Sequence, residues 1–219
     1  MKAMILAAGR GERLKPLTVI TPKPLLIVGN TTLLGHTLHQ LHDAGIKDVV
    51  INVHHLKDQI IDYCGNGSHF NLNIQYSIED ELLETGGGLF QALPLLGNKP
   101  FLLISGDIWT DYPLTNLIIK PVRAAHLVFV NNPDFHLAGD YSLDKNNIVR
   151  ADHSEKFTYA NIGIIHPDLF YAEKPGAFRL TKVLQPAINQ GLVTGEHYSG
   201  VWHNVGTTKA LHELREHLR

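Results

Sequence analysis

The stretch LAAGRGERLKPLTVITPKPL occupies residues 6–25 and carries the chain from a buried strand into a glycine-rich loop. The apolar run at residues 3–7 predicts the strand. Gly9 and Gly11 permit backbone angles that are closed to other residues, so that successive N–H groups of the loop can point at one anion. In open α/β sheets, ligands bind beyond the carboxyl ends of the strands, where this loop must lie.

Two cations of this loop are suited to a triphosphate. Arg13 offers a planar fork of donors, and Lys23, held between Pro22 and Pro24, offers a point charge on stiffened backbone. Position 14 is Leu where a dinucleotide fingerprint requires Gly, and the P-loop pattern G-x-x-x-x-G-K-[ST] is absent. The combination of strand, G-x-G-x-R and P-K-P therefore favours a phosphate-binding loop over a simple turn.

Strand and helix patterns alternate along the first half of the sequence. Strands are predicted at residues 48–53, 72–78 and 101–105, and helices at residues 31–44 and 56–64. This order implies parallel strands with helices on both faces of the sheet.

The second half is richer in strands. Strands are predicted at 125–130, 140–143, 148–150, 159–166 and 200–205, and helices at 180–190 and 207–218. We expect one domain, residues 1–219, folded as a three-layer α/β/α sandwich with a mixed, mainly parallel sheet and an antiparallel flap. Residues 1–112 form the half with the phosphate loop in this interpretation, and residues 113–219 form the strand-rich half.

Composition limits the classes of partner. The chain has 219 residues, 44% of them hydrophobic, which suffices for one well-filled core, and its net charge of −2 favours neither nucleic acid nor an anionic membrane. A single cysteine, Cys64, excludes an internal disulfide and a multi-cysteine zinc site. The opening apolar run is too short for a signal peptide. We expect a cytoplasmic protein that is a monomer or a small homo-oligomer.

A carboxylate follows the predicted strand at residues 101–105. Asp107 comes directly after Gly106, at the same sheet edge as the phosphate loop, and Mg²⁺ prefers one or two protein oxygens combined with phosphate oxygens and water. The alternative is that Asp107 is a turn residue or a helix cap. With a phosphate loop at the same edge, the metal interpretation is preferred.

The quoted loop, together with LETGGG, SGDIWTDY and WHNVGT, resembles the sugar-1-phosphate nucleotidyltransferases over nearly the whole chain. The sequence is most similar to the small N-acetylmuramate-1-phosphate uridylyltransferases, with mannose-1-phosphate guanylyltransferases second. The resemblance implies a Rossmann-like nucleotidyltransferase fold and a Mg²⁺-dependent reaction. In that reaction an NMP passes from an NTP, with UTP favoured, to a sugar 1-phosphate, and pyrophosphate is released.

The resemblance also implies roles for individual residues. Catalytic roles fall to Arg13 and Lys23, sugar binding to Ser105, Asp140 and Asn161, and metal binding to Asp107 and Asn204. Nucleotide binding falls to Ala7, Ala8, Gly9, Gly11, Glu12, Arg13, Lys23, Tyr76, Glu79, Thr85, Gly86 and Gly87. The glycines of LETGGG would let a base lie on the backbone, with a tight turn as the alternative, and core packing is the alternative for Tyr76.

Asn204 departs from the family pattern W-x-D-x-G-T, because an amide stands where aspartate is commonest. Its oxygen can coordinate a hard cation but brings no charge, so we expect Asn204→Asp to tighten Mg²⁺ binding.

Two rival functions remain at this point. A glycosyltransferase normally carries Asp-x-Asp, whereas Asp107 is followed by Ile108 and Trp109. A non-catalytic nucleotide-sugar sensor would bind ligand without turnover, with Asn204 marking lost catalysis.

Overall fold

The computed structural model describes residues 1–151 and 155–219. Thirteen strands lie in these residues: β1 (Lys2–Leu6), β2 (Ile27–Val28), β3 (Thr31–Thr32), β4 (Asp48–Val53), β5 (Asn73–Ile78), β6 (Phe101–Ser105), β7 (Ile108–Thr110), β8 (Ala125–Val130), β9 (Ser142–Leu143), β10 (Val149–Arg150), β11 (Thr158–Ile165), β12 (Val193–Tyr198) and β13 (Trp202–Asn204). The α-helices in the same residues are α1 (Leu17–Ile20), α2 (Leu33–Asp43), α3 (Lys57–Cys64), α4 (Glu84–Leu96), α5 (Thr115–Ile118), α6 (Thr181–Asn189) and α7 (Thr208–His217).

A seven-stranded sheet in the order β12-β8-β11-β6-β1-β4-β5 forms the middle layer. Every neighbouring pair is parallel except the two that involve β11, which runs antiparallel to both β6 and β8. The prediction of a mixed, mainly parallel sheet is confirmed. The sheet takes strands from both halves of the chain.

Two apolar clusters cover the two faces of this sheet. Alternate residues of β1 divide between them: Ala3 and Ile5 join one cluster, and Met4 joins the other. Residues of α2 and α3 belong to the first cluster, and residues of α4 and α6 to the second. The helices therefore form the outer layers of a three-layer sandwich, as predicted.

The expected antiparallel flap is wrong for the longer strands of the second half. β8, β11 and β12 extend the main sheet. Antiparallel pairing outside it consists, in the described part of the chain, of the short ladders β2/β3, β7/β13 and β9/β10 and of two isolated bridges, Tyr141–Phe157 and Ile148–Thr194. The sequence pattern also failed to predict β12, because VTGEHY is mostly polar. Gly195 fits there because a Cβ would lie 2.6 Å from the Phe129 ring.

The helix boundaries follow from capping. α2 begins at Leu33 rather than at residue 31, since the Thr32 hydroxyl accepts a hydrogen bond from Gly35 N at 2.9 Å and caps the helix. α7 begins in the same way after Thr207, whose hydroxyl accepts from Ala210 N. In the described residues, none of the helices combines the length and apolar character that a membrane crossing requires.

Strand register fixes where the loops emerge. Leu6, the last residue of β1, pairs with Ser105 at the end of β6 and with Asn52 near the end of β4. The loop that follows β1 and the turn that contains Asp107 therefore leave the same edge of the sheet.

Candidate active site

The glycine-rich loop after β1 is shaped by Gly11. This residue has φ +63, and a Cβ would lie 2.8 Å from Thr18 Cγ2, so both its conformation and its surroundings require glycine. The Thr18 hydroxyl donates to the Gly11 carbonyl at 2.9 Å. These contacts bind the start of the loop to α1, so the loop folds back on itself.

Lys23 and Asp107 meet at the sheet edge. Lys23 lies in a short 3₁₀ turn with Pro24, and its Nζ donates to Asp107 Oδ2 at 2.5 Å. Lys23 is buried, and the Asp107 side chain is 31% exposed. A cation from the loop and the carboxylate after β6 thus face one cavity, as the sequence predicts.

The first cavity, of about 250 Å³, opens around this ion pair. Seven residues predicted to bind the nucleotide line it: Ala7, Ala8, Gly9, Gly11, Lys23, Glu79 and Thr85. Asp107 and Ser105 line it as well. Their functional roles remain predictions, but the structure brings these residues together.

The amide of Asn52 and the carboxylate of Glu79, both buried, support this cavity. Asn52 Oδ1 accepts from Ala7 N at 2.8 Å, and Asn52 Nδ2 donates to Glu79 Oε1 at 2.6 Å. Glu79, 2% exposed, also accepts from Leu83 N at 3.2 Å. The pair connects the phosphate loop to the residues before α4. Asn52 was missed, although it is the one polar residue inside the apolar run VVINV.

The glycines of LETGGG are packed closely against other parts of the chain. Gly86 N and Gly87 N both donate to the Phe178 carbonyl, and a Cβ on Gly87 would lie 2.2 Å from Gly176 O. A Cβ on Gly88 would lie 2.5 Å from Glu79 Oε1. These glycines therefore accommodate the chain's own segment, and Gly86 and Gly87 do not line the first cavity. Thr85 and Glu84 line it instead.

Three other residues predicted to bind the nucleotide also lie outside the first cavity. Tyr76 donates its hydroxyl hydrogen bond to Gly65 O at 2.6 Å and packs against the core, so the packing alternative applies. Glu12 is exposed and pairs with Lys15. The Arg13 guanidinium is packed so close to Gly206 that a Cβ there would be 2.8 Å from Nη2.

A second cavity, of about 400 Å³, adjoins the first. The two share Leu6, Glu84, Thr85 and Ser105 as lining residues. All three residues predicted to bind the sugar line it, namely Ser105, Asp140 and Asn161. The structure therefore places them together, on the side of the site away from Lys23.

Asn161 and Asp140 reach the second cavity by different means. Asn161 has φ +58 and lies where the pairing of β11 with β8 shifts register, a bulge that redirects side chains. Asp140 Oδ2 accepts from Tyr159 N at 2.8 Å, and its Oδ1 lies 3.1 Å from His136 Nε2. Hydrogen bonds thus hold this carboxylate in place.

Asn204 lies beside Asp107 through strand pairing. β13 pairs with β7 so that Asn204 is opposite Ile108, and Val205 N donates to the Asp107 carbonyl at 2.9 Å. Asn204 Oδ1 is buried and has no hydrogen-bond partner among the described residues. The two residues are thus adjacent along the backbone, and an unpaired buried oxygen fits a divalent cation, which would satisfy it.

A third cavity, of about 430 Å³, lies on the other side of Asn204, and both Asn204 and Arg13 line it. Arg13, Thr207 and Lys209 line this cavity, which shares Phe135, Trp202 and Asn204 with the second. In the described residues, no group of three or more His, Cys, Asp or Glu side chains forms a metal cluster. A site made of the Asp107 carboxylate and the Asn204 amide contains one such side chain and is therefore not a cluster of this kind.

Comparison with known proteins gives a consistent family assignment. Residues 2–141 match the profile of the family described as Nucleotidyl transferase. N-acetylmuramate alpha-1-phosphate uridylyltransferase of Neisseria meningitidis is 43% identical, covering 98% of this chain and 97% of that protein. The protein of the same description from Caulobacter vibrioides is 31% identical, covering 95% and 93%.

A solved structure agrees in fold. A structure from Bacillus anthracis, described as a putative glucose-1-phosphate thymidylyltransferase in complex with a sucrose, superposes with a TM-score of 0.88. It covers 100% of this chain and 95% of that one at 22% identity, which supports the fold alone. Taken with the profile match and the similarity along almost the whole sequence, these findings show that the chain belongs to the nucleotidyl transferase family.

Proposed function

We propose that the protein transfers UMP from UTP to N-acetylmuramate α-1-phosphate and releases pyrophosphate. The observation that carries this proposal is the Lys23–Asp107 pair in a cavity that opens into a second one lined by the predicted sugar-binding residues. A triphosphate in the first cavity and a sugar 1-phosphate in the second would bring the two phosphates together near Asp107.

The chemistry needs no general base or nucleophilic side chain. A sugar 1-phosphate is largely dianionic at neutral pH, because its second pKa is about 6, and it can attack the α-phosphorus directly. The protein must align attacking and leaving groups and offset negative charge. In this proposal Lys23 neutralises the triphosphate, and Arg13, which lines the third cavity, keeps the catalytic role that the sequence resemblance implies.

Asp107 and Asn204 would hold the divalent cation, for which we propose Mg²⁺. Nucleotidyl transferases generally use such a cation, and when bound it stabilises the charge that develops on the phosphate oxygens. Two observations support this cation site: the Asp107 side chain is partly exposed, and Asn204 Oδ1 has no hydrogen-bond partner among the described residues. Lys23 must move from Asp107 to phosphate when the nucleotide binds.

The choice of UTP and N-acetylmuramate α-1-phosphate is supported by the names of the two relatives. That substrate would place the enzyme in peptidoglycan recycling, in the cytoplasm where nucleoside triphosphates are made. Mannose 1-phosphate with GTP is the second candidate, kept from the sequence resemblance. The single-domain organisation and the oligomeric state remain predictions.

A pyrophosphate-release screen of four NTPs against a panel of sugar 1-phosphates, with Mg²⁺ and with Mn²⁺, tests the proposal. We expect the highest kcat/KM with UTP and N-acetylmuramate α-1-phosphate. Release only with GTP and mannose 1-phosphate would select the second candidate. Binding without turnover at any metal concentration would support a sensor, and transfer of sugar from a nucleotide sugar without pyrophosphate would support a glycosyltransferase.

A further inference from the structure

The Tyr159 hydroxyl is a buried polar group that the reaction described above does not use. Tyr159 lines the second cavity, and its buried hydroxyl has no hydrogen-bond partner among the described residues. The ring is held by its neighbours: its backbone N–H donates to Asp140 Oδ2 at 2.8 Å, and Phe129 packs at 6.2 Å between ring centroids. A buried hydroxyl without a partner is unfavourable and calls for an explanation.

This hydroxyl is suited to donating a hydrogen bond. Burial, with a smaller contribution from the charge of Asp140, raises the pKa of the Tyr159 phenol. The phenol therefore keeps its proton across the physiological range. A protonated hydroxyl on a residue that lines a ligand cavity can donate to an anionic oxygen of a ligand that reaches it, and such charge-assisted bonds are the stronger ones.

Arg179 brings positive charge to the same cavity. Its side chain is 78% exposed and contacts Glu84, Nε to Oε2, at 3.4 Å. An exposed pair of this kind is weak, and a guanidinium has five N–H donors, so Arg179 can engage a further anion. The other carboxylate of the cavity, Asp140, is already held by Tyr159 N–H and His136.

An anion bound by Tyr159 and Arg179 would be a different group from the phosphate that reacts. Tyr159 and Arg179 line the second cavity but not the first, whereas Lys23 and Asp107 line the first but not the second. A sugar 1-phosphate that presents its phosphate to Asp107 would extend its other substituents into the second cavity.

We infer that Tyr159 is a specificity-determining residue, whose hydroxyl donates to a carboxylate carried by the sugar, with Arg179 as its counter-charge. This inference deepens the proposed function and rests on it: N-acetylmuramate is N-acetylglucosamine with a lactic acid ether, and the lactyl carboxylate is the group recognised. The Tyr159–carboxylate bond would also satisfy the orphan hydroxyl.

Tyr159→Phe removes only the oxygen and is the test. With UTP, kcat/KM for N-acetylmuramate α-1-phosphate should fall about tenfold to a hundredfold, whereas that for N-acetylglucosamine α-1-phosphate, which lacks the carboxylate, should be unchanged. Arg179→Gln should reduce the same preference. Because the hydroxyl has no partner within the chain, the Tm of Tyr159→Phe should be unchanged or raised.

Tyr112→Phe is the matched control. The Tyr112 hydroxyl donates to Glu196 away from both cavities, so this variant should lose stability and keep the wild-type preference between the two sugars. Equal losses of Tyr159→Phe on both sugars, or no loss, would overturn the inference. So would a lowered Tm, since it would indicate a structural bond.

A second measurement separates this inference from the proposed function. If the wild-type protein releases no pyrophosphate with any pair, the proposed function fails, and calorimetric binding of UDP-N-acetylmuramate and UDP-N-acetylglucosamine then decides the role of Tyr159. A Kd ratio reduced about tenfold by Tyr159→Phe supports the inference, and an unchanged ratio or the absence of binding to wild type refutes it.

Discussion

Replacing Lys23 with Met tests whether its ammonium group competes with a divalent cation for Asp107. Nζ lies 2.5 Å from Oδ2, and the Lys23 and Asp107 side chains are 11% and 31% exposed. Methionine keeps an unbranched apolar stem and removes the charge. We expect pyrophosphate release to fall by about a hundredfold or more, because a cation that offsets phosphate charge is lost. Cation binding to the nucleotide-free protein should nevertheless tighten.

The size of that tightening follows from the ion pair. Two unit charges at this separation attract by about 7 kcal/mol at an effective dielectric constant of about 20. Desolvation offsets most of this, and Asp107 is partly in contact with solvent, so the net contribution is closer to the ~1.5–3 kcal/mol of a hydrogen bond between charged groups. Removing the competitor should therefore raise affinity by about tenfold to a hundredfold.

Titration of the protein with Mn²⁺, followed by electron paramagnetic resonance of the free ion, measures this affinity directly. Lys15→Met is the matched control, since Lys15 belongs to the same loop but pairs with Glu12 at the surface, and its affinity should equal that of wild type. Unchanged or weaker Mn²⁺ binding in Lys23→Met would refute the argument that Asp107 is a metal ligand masked by Lys23.

Three further outcomes are expected. Asn204→Asp adds charge beside the unpaired oxygen position and should tighten Mg²⁺ binding; a calorimetric titration with equal or weaker affinity would count against that metal site. Asn52→Ala removes the partner of Ala7 N and that of buried Glu79 Oε1 and should lower the free energy of urea unfolding by about 2–4 kcal/mol, so a change under about 1 kcal/mol would contradict the proposed support. Burial, against a weaker opposing attraction from Glu196, lowers the pKa of His126. The stability that neutral His126 contributes is present above about pH 6.5 and is lost as the pH falls. The free energy of unfolding of His126→Gln should therefore decrease less steeply with falling pH than that of wild type, and equal slopes for the two proteins would exclude His126 as a cause of the acid dependence.

The meeting of Lys23 and Asp107 could be predicted because it follows from local patterns and one topological rule. Two apolar runs, each followed by glycine, predicted parallel strands, and parallel strands deliver their following loops to one edge. The structure follows this rule, because Leu6 at the end of β1 pairs with Ser105 at the end of β6. Sequence spacing alone therefore sufficed for the centre of the site.

The glycines at the start of α4 show where such patterns stop. For Gly86 and Gly87 the requirement comes from Phe178 and Gly176, about ninety residues later in the chain, whose carbonyls approach within hydrogen-bonding or closer range. A sequence shows that glycine is present but not what approaches it. Arg13 is a similar case, since its position beside Gly206 depends on how α7 packs under the loop.

The electrostatics of the site argue for coupled binding of cation and nucleotide. In the described structure, the Lys23 charge is balanced by Asp107, and Asn204 contributes an oxygen without charge. A divalent cation arriving alone would have to displace the Lys23 ammonium from Asp107, and would gain just one formal negative charge. A nucleotide that arrives with the cation offers phosphate oxygens to Lys23 at the moment Asp107 is released, so each charge exchanges one partner for another. In the proposed site, the neutral amide at position 204 would favour that exchange over tight binding of the bare ion.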